Sequence, residues 1–246
     1  MLHDRLVAHR GYRKRYPENT LLALSKAVEA GARYLETDIQ FTADLHPVLY
    51  HDALMSRISG IDNAIHLLPL EEVTALTASE PERLGGTFAG EKICPLSRLV
   101  EFLVQQPAVT QFVEVKRTAA HFAGAETAFR RLAKTLAPVT ERAVLISFDE
   151  DFILHAHRQG YPRLGMVLTD WDRMGYPALE EVGPEFLFCD IDKIPAGADL
   201  DGFDSKLVIY EVESPDLAME LFHRGADMVE TFDIAGMLEG LSLHTL

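Results

Sequence analysis

Cysteine is nearly missing from this chain: Cys94 and Cys189 are the two it has. That excludes a disulfide-stapled scaffold, and the pair lacks the spacing of a thiolate metal site, so a reducing, cytoplasmic compartment is the expectation. No stretch approaches 18 uninterrupted apolar residues, so neither a membrane-spanning helix nor stable membrane insertion is expected. The opening "MLHDRLVAHRGY" also lacks the apolar core of a signal peptide. Positive charge is scarce: 23 Lys and Arg stand against 38 Asp and Glu, a formal charge of −15. A surface so acidic repels nucleic acid and anionic lipid. The one basic run, Arg13-Lys14-Arg15, reads as a solvated loop. There is no Gly/Ser/Pro linker, no fixed-period repeat and no low-complexity segment, and nothing in the sequence reports an oligomeric state.

What is present is an alternation of short apolar runs with longer segments of helical period. Strands are expected at 6–9, 33–39, 111–116, 142–147, 163–168, 186–189, 207–212 and 227–231. Thr20, Asp149 and Ser214 stand where helix N-caps belong, opening helices over 20–30, 150–159 and 215–224, each followed by glycine. Strand–helix alternation implies parallel strands, and eight of them imply a closed α/β structure, a (β/α)8 TIM barrel formed by residues 1–246 as one domain. The connection over 190–206 has little helical period. A ninth run, 47–50, follows the second strand too closely for a parallel crossover, so it must return as an antiparallel hairpin. With the turn around Ala43-Asp44, Glu36 falls approximately opposite His51. Residues 52–95 then form an insertion, with a helix at 69–77, that reads either as a small cap over the barrel mouth or as a long loop.

Barrels of this kind carry their active sites at the C-terminal ends of the strands. His9 and Arg10 follow the first strand, Glu36 and Asp38 share one face of the second, Glu114 and Lys116 share one face of the third, and the hairpin return ends in His51 and Asp52. Carboxylates converging inside a dry barrel would repel one another unless a cation joined them, and all-oxygen ligation favours a hard divalent ion, Mg2+ or Ca2+. Two histidines at the same mouth suit acid–base work on an attacking and a leaving oxygen. The triplet His-Arg-Gly occurs twice, at 9–11 and 223–225. The first follows an apolar strand; the second closes a helix, where cations suit the dipole and glycine ends the element, so it reads as a helix stop.

The motifs "AHRGYRKRYPENT" (8–20), "ETDIQFTADLHPVLYHD" (36–52) and "FVEVKR" (112–117) resemble the glycerophosphodiester phosphodiesterase family. The resemblance implies a barrel with a small insertion after the His-Asp motif. It also implies metal-dependent hydrolysis of a small-molecule glycerophosphodiester to glycerol 3-phosphate and an alcohol. On that model His9 and His51 are the acid–base pair and Glu36, Asp38 and Glu114 hold the divalent cation. Arg10 and Lys116 then neutralise phosphate oxygens, and Pro17-Glu18-Asn19-Thr20 fixes the loop and caps the first helix. Tyr210 either stacks on the glycerol or fills the barrel. Three departures stand out. The family's Asp-Gly turn is Asp44-Leu45 here, which implies a different turn. An aromatic followed by Thr-Val-Asn becomes Tyr210-Glu211-Val212-Glu213. Ile-Thr-Asp after the last strand becomes Glu230-Thr231-Phe232, placing Glu211 and Glu230 at the pocket rim, where a cationic headgroup would be favoured. Alternatives are a lysophospholipid or other phosphodiester as substrate, with Leu67-Leu68-Pro69-Leu70 as an apolar rim, or a barrel that binds phosphodiesters without turnover.

Overall fold

The chain, described by a computed structural model over residues 2–173 and 177–243, is built on β1 (Leu6–Ala8), β2 (Tyr34–Phe41), β3 (Pro47–Leu49), β4 (Cys94–Pro95), β5 (Thr110–Val115), β6 (Ala143–Ser147), β7 (Leu164–Val167), β8 (Phe186–Asp190), β9 (Lys206–Tyr210) and β10 (Met228–Thr231). Among the described residues, all but β3 and β4 pair in parallel, and β1 pairs with both β2 and β10, which closes an eight-stranded barrel. The helices Leu21–Glu29, Glu150–Arg158 and Pro215–His223 start where Thr20, Asp149 and Ser214 accept hydrogen bonds from the backbone amides of Ala23, Phe152 and Leu217. No helix among the described residues is long and apolar enough to cross a membrane. The link from β8 to β9 departs from the regular pattern: it carries a single 3-10 turn, Ile191–Lys193, and no α-helix. That matches the weak helical period there.

Strand alternation sorts the residues into two cores. Val7, Phe112, Val144, Ile146, Val167, Phe186, Phe188, Val208 and Met228 fill the barrel interior. The rings of Phe186 and Phe188 meet Phe112 edge-on at 4.8 and 5.1 Å. A larger apolar shell lies between strands and helices. On four strands the inward alternation turns polar towards the C-terminal end: His9 after Val7, Glu36 and Asp38 after Tyr34, Glu114 after Phe112, Glu230 after Met228. The barrel is therefore apolar at its middle and ionic at its mouth.

The two His-Arg-Gly triplets solve different problems. Gly11 (φ +79°) lies against Ala23, whose carbonyl carbon would stand 2.7 Å from any Cβ. Gly225 (φ +109°) ends the helix Pro215–His223 and presses on Leu200 and Asp201, with a Cβ clash at 2.6 Å. Arg224 caps that helix and donates to the carbonyl of Ala198, so the second triplet is a helix stop that also seats the helix-free β8–β9 link.

The β2–β3 hairpin corrects two expectations. Its register sets Ile39 opposite Leu49, and the Tyr50 amide donates to the Asp38 carbonyl at 2.9 Å. Asp38 thus faces Tyr50, and Glu36 falls one residue out of register with His51. The cause is a three-residue loop centred on Asp44, closed by Thr42 N–H to the His46 carbonyl at 3.0 Å. Leu45 adopts φ +61°, the left-handed conformation that a glycine would supply at that point of such a loop. The turn therefore keeps its shape despite losing Asp-Gly, at a conformational cost to leucine. Leu45→Gly is expected to stabilise the protein by about 0.5 kcal/mol, the left-handed penalty less the extra chain entropy of glycine. A melting curve should rise by one or two degrees, about the shift such an energy gives a chain of this size.

β4 was not legible: two residues pairing antiparallel with β3, Leu49 opposite Cys94. The residues between β3 and β4 fold over their own apolar cluster, Val48, Tyr50, Met55, Ile58, Ile65, Val73, Ala78 and Ile93. The helix expected at 69–77 is Leu70–Ala75.

Candidate active site

β2 and β5 run side by side with Asp38 opposite Glu114, and Glu36 lies two residues before Asp38 on the same inward face. One carboxylate oxygen from each of Glu36, Asp38 and Glu114 lies within 4.8 Å of the others, and all three residues are buried. Glu36 Oε1 has no hydrogen-bond partner. Asp38 Oδ1 and Glu114 Oε1 meet the Lys116 ammonium at 3.3 and 2.7 Å. Buried carboxylate oxygens that converge, with Glu36 Oε1 left unpartnered, fit a hard divalent cation, which all-oxygen donors favour.

Burial and crowding split the acids. Burial, with Asp38, Glu230 and Glu114 nearby, pushes the Glu36 carboxyl well above its ordinary range. Burial also works to raise Asp38, but Arg10 and Lys116 outweigh it and hold that carboxyl ionised. Burial would lower Lys116, yet Asp38 and Glu114 keep it charged. Arg10 adopts φ +56°, which turns its amide onto Glu36 Oε2 (3.1 Å) while its guanidinium meets Asp38 (3.0 Å) and Glu18 (3.2 Å).

The two imidazoles line one cavity of about 120 Å3, together with Arg10, Glu114, Lys116, Phe148, Phe188, Tyr210, Glu211 and Glu230. His51 Nδ1 lies 2.5 Å from Asp52 Oδ1. Burial would raise Asp52, but His51 and Arg57 hold it ionised, so the carboxylate accepts, Nδ1 carries the proton, and Nε2 is left without one. His9 is buried, and burial, then Arg10, keep it well below the ordinary histidine value and therefore neutral. Its ring stacks on Phe232 at 4.6 Å and 13°. Tyr210 reaches the same cavity, 6.4 Å edge-on to His9.

Two groups differ from their expected places. Glu230 is 3% exposed and belongs to the barrel interior rather than the rim, because it continues the inward alternation from Met228; Glu211, at φ +65°, is the exposed acid. Arg13 and Lys14, the second still exposed to solvent, pair with Glu18 and Asp233, both at 2.7 Å, and fasten the first loop.

Three residues had no assigned place in the site from sequence. Asn19, itself at φ +57°, donates to Asp38 Oδ2 (2.9 Å) and accepts from the Asp38 amide (3.0 Å), so it clamps that acid as well as preceding the Thr20 cap. Arg57, in the insertion, joins Asp52 (2.7 Å) to Glu18 (2.8 Å). Glu80, also in the insertion, accepts from the Glu18 amide at 2.9 Å. A continuous ionic chain thus runs from His51 through Asp52, Arg57, Glu18 and Arg10 to Asp38. Burial would raise Glu18, but Arg57, Arg10 and Arg13 hold it at about 2, below its ordinary 4.5. Arg57→Ala is expected to cost about 1–2 kcal/mol, discounted because the arginine is part-exposed and Glu18 keeps two other partners. A carboxyl depressed on folding contributes stability that is full above 4.5 and is lost as pH falls towards 2. The gap between R57A and the parent in urea titrations should therefore begin to close below pH 4.5.

Comparison with known proteins places the chain in a family. Residues 9–185 match the sequence profile of the glycerophosphoryl diester phosphodiesterase family. Over 146 residues the chain is 32% identical to the glycerophosphodiester phosphodiesterase of Caldanaerobacter subterraneus subsp. tengcongensis, a match covering 58% of each. It is also 32% identical over 147 residues to glycerophosphodiester phosphodiesterase 1 of Bos taurus, covering 60% of this chain and 43% of that protein. The matched segment thus spans about half the length of these curated relatives. Two solved structures share the fold. An Oleispira antarctica phosphodiesterase in complex with the product sn-glycerol-3-phosphate aligns with TM-score 0.85, 21% identity and 97% and 96% coverage of the two chains. A Silicibacter pomeroyi protein described as a glycerophosphoryl diester phosphodiesterase aligns with TM-score 0.85, 20% identity and 98% and 94% coverage. The family match takes in both imidazoles, the three acids, Arg10 and Lys116, and stops before Tyr210, Glu211 and Glu230. With most of its length under that profile and the barrel mouth built as described, the chain belongs to the glycerophosphoryl diester phosphodiesterase family.

Proposed function

We propose that this protein hydrolyses glycerophosphodiesters to glycerol 3-phosphate and an alcohol with the help of one divalent cation. The observation that carries the reading is a cluster of three buried carboxylates, one of which, Glu114, lines a small cavity together with both imidazoles. Glu36, Asp38 and Glu114 would hold the ion. When bound, it would polarise phosphate oxygens and favour ionisation of a bound hydroxyl or water. Arg10 and Lys116 add fixed positive charge where charge builds in the displacement. His9, kept neutral by burial, takes the proton from the attacking oxygen. His51, whose Nδ1 is held by Asp52, returns one to the leaving oxygen. Tyr210 offers a ring face or edge to the glycerol. The Oleispira antarctica protein of the same fold binds sn-glycerol-3-phosphate, which is a product of this chemistry.

The test is release of glycerol 3-phosphate from a panel of choline, ethanolamine, inositol and glycerol diesters. Turnover of at least one is expected. Faster turnover of the cationic headgroups would fit the exposed Glu211 at the mouth, and equal rates would remove that preference. One observation favours a second substrate class. Leu54 and Leu67 of the insertion stand 57% and 63% exposed. Leu68 and Leu70 pack into its core instead. Exposed apolar side chains beside the insertion suit a single-chain lysophospholipid, and co-sedimentation with phosphatidylcholine vesicles would distinguish that reading.

A further inference from the structure

His9 Nδ1 is buried and has no hydrogen-bond partner. The atom nearest to satisfying it belongs to Glu230, whose Oε2 lies 3.9 Å away and whose Oε1 is likewise buried without a partner. The separation is about 1 Å beyond hydrogen-bond reach. Two unpaired buried polar groups facing each other are each destabilising until they meet. Glu36 is no substitute: it approaches the other nitrogen, Nε2, at 3.8 Å, and is one of the three acids that would face the cation. The ring plane is already fixed by the stack on Phe232, two residues beyond Glu230. The same molecule shows the completed device at its other imidazole, where Asp52 occupies Nδ1 of His51 at 2.5 Å.

We propose that Glu230 is the positioning carboxylate of His9. It accepts a hydrogen bond from Nδ1–H, which fixes the tautomer whose Nε2 faces the reacting oxygen. It also stabilises the imidazolium formed when Nε2 takes the proton from the attacking oxygen; the Nδ1 proton stays on the ring throughout. Glu230 touches neither substrate nor cation in this role. Each histidine of the pair then has its own carboxylate, one from the hairpin and one from the last strand. The inference rests on the phosphodiesterase reading above and adds a residue to it.

The test compares Glu230→Ala and Glu230→Gln with the parent, all loaded with Mg2+, using glycerophosphocholine and one non-cationic diester. For E230A, kcat is expected to fall about 10–100-fold with KM within about threefold, the usual scale for losing a partner that orients a working histidine. E230Q, which keeps an acceptor but loses the charge, should lie between. In 15N spectra of histidine-labelled protein, the signals absent from His9→Gln should show one Nδ1–H tautomer in the parent and a mixture in E230A. An unchanged kcat in folded E230A overturns the proposal. So does a rise in KM alone, which would make Glu230 a substrate contact. If E230A does not fold, E230Q carries both readouts. If the parent turns over no diester, the functional reading fails, and the tautomer comparison still decides whether Glu230 holds the ring.

Discussion

Replacing His9 by alanine is expected to lower kcat for glycerol 3-phosphate release by about 10²–10⁴-fold, the range supplied by a positioned acid or base. Each decade corresponds to about 1.4 kcal/mol of barrier. The fold should survive, because the side chain faces the cavity and not the shell between strands and helices. Its packing partners are Phe232 at 4.6 Å and Tyr210 at 6.4 Å, both of which keep other contacts; Phe232, for example, carries the Arg13 guanidinium at 4.2 Å. His9→Ala with circular dichroism and a melting curve close to the parent, and kcat within tenfold of it, would remove His9 from the chemistry.

Removing the divalent cation is expected to abolish turnover and to lower stability together. A cation at about a hundred times its Kd stabilises by about 2.7 kcal/mol. For a chain of this length that is about 5–10 °C in Tm. Glu36→Gln separates the two halves of the claim by sign. In chelated protein, Glu36 is a carboxyl that burial and its acidic neighbours drive above its ordinary value. Such a group contributes stability that is present below 4.5 and is lost as pH rises through its elevated native value. Chelated parent should therefore weaken as pH rises, while chelated E36Q, with one fewer charge to bury, should melt higher than chelated parent near neutral pH. Added Mg2+ or Ca2+ should rescue the parent and do little for E36Q. Titrating each metal into both chelated proteins while following Tm and activity checks all of these at once. Full activity in excess chelator would refute the cation's part.

The fold was legible wherever one local rule decided the outcome. Strand periodicity placed the eight barrel strands to within a residue or two, since a two-residue period leaves an apolar strand little freedom. Caps located the helices because Thr20, Asp149 and Ser214 each satisfy an amide three residues on. The acids were legible for the same reason: Glu36 with Asp38, and Glu114 beside them, follow from alternation alone. What failed depended on a partner far along the chain. Asn19 gains its second role from Asp38, and Arg57 from Glu18, 39 residues away. The hairpin register turned on one backbone angle at Leu45, which a leucine gives no reason to expect. Glu230 could have been placed correctly: alternation from Met228 points it inward, and only the assumption that an acid seeks the rim put it elsewhere.

The central claim, that Glu36, Asp38 and Glu114 surround a single divalent ion beside His9 and His51, is tested most directly by anomalous diffraction from crystals soaked in Mn2+ or Ca2+. One peak is expected among the three carboxylates, at about 2.0–2.6 Å from their oxygens, with the Lys116 ammonium displaced from between Asp38 and Glu114. Crystals of turning-over enzyme that show the ion elsewhere, or show none with those acids still paired to Lys116, would contradict it.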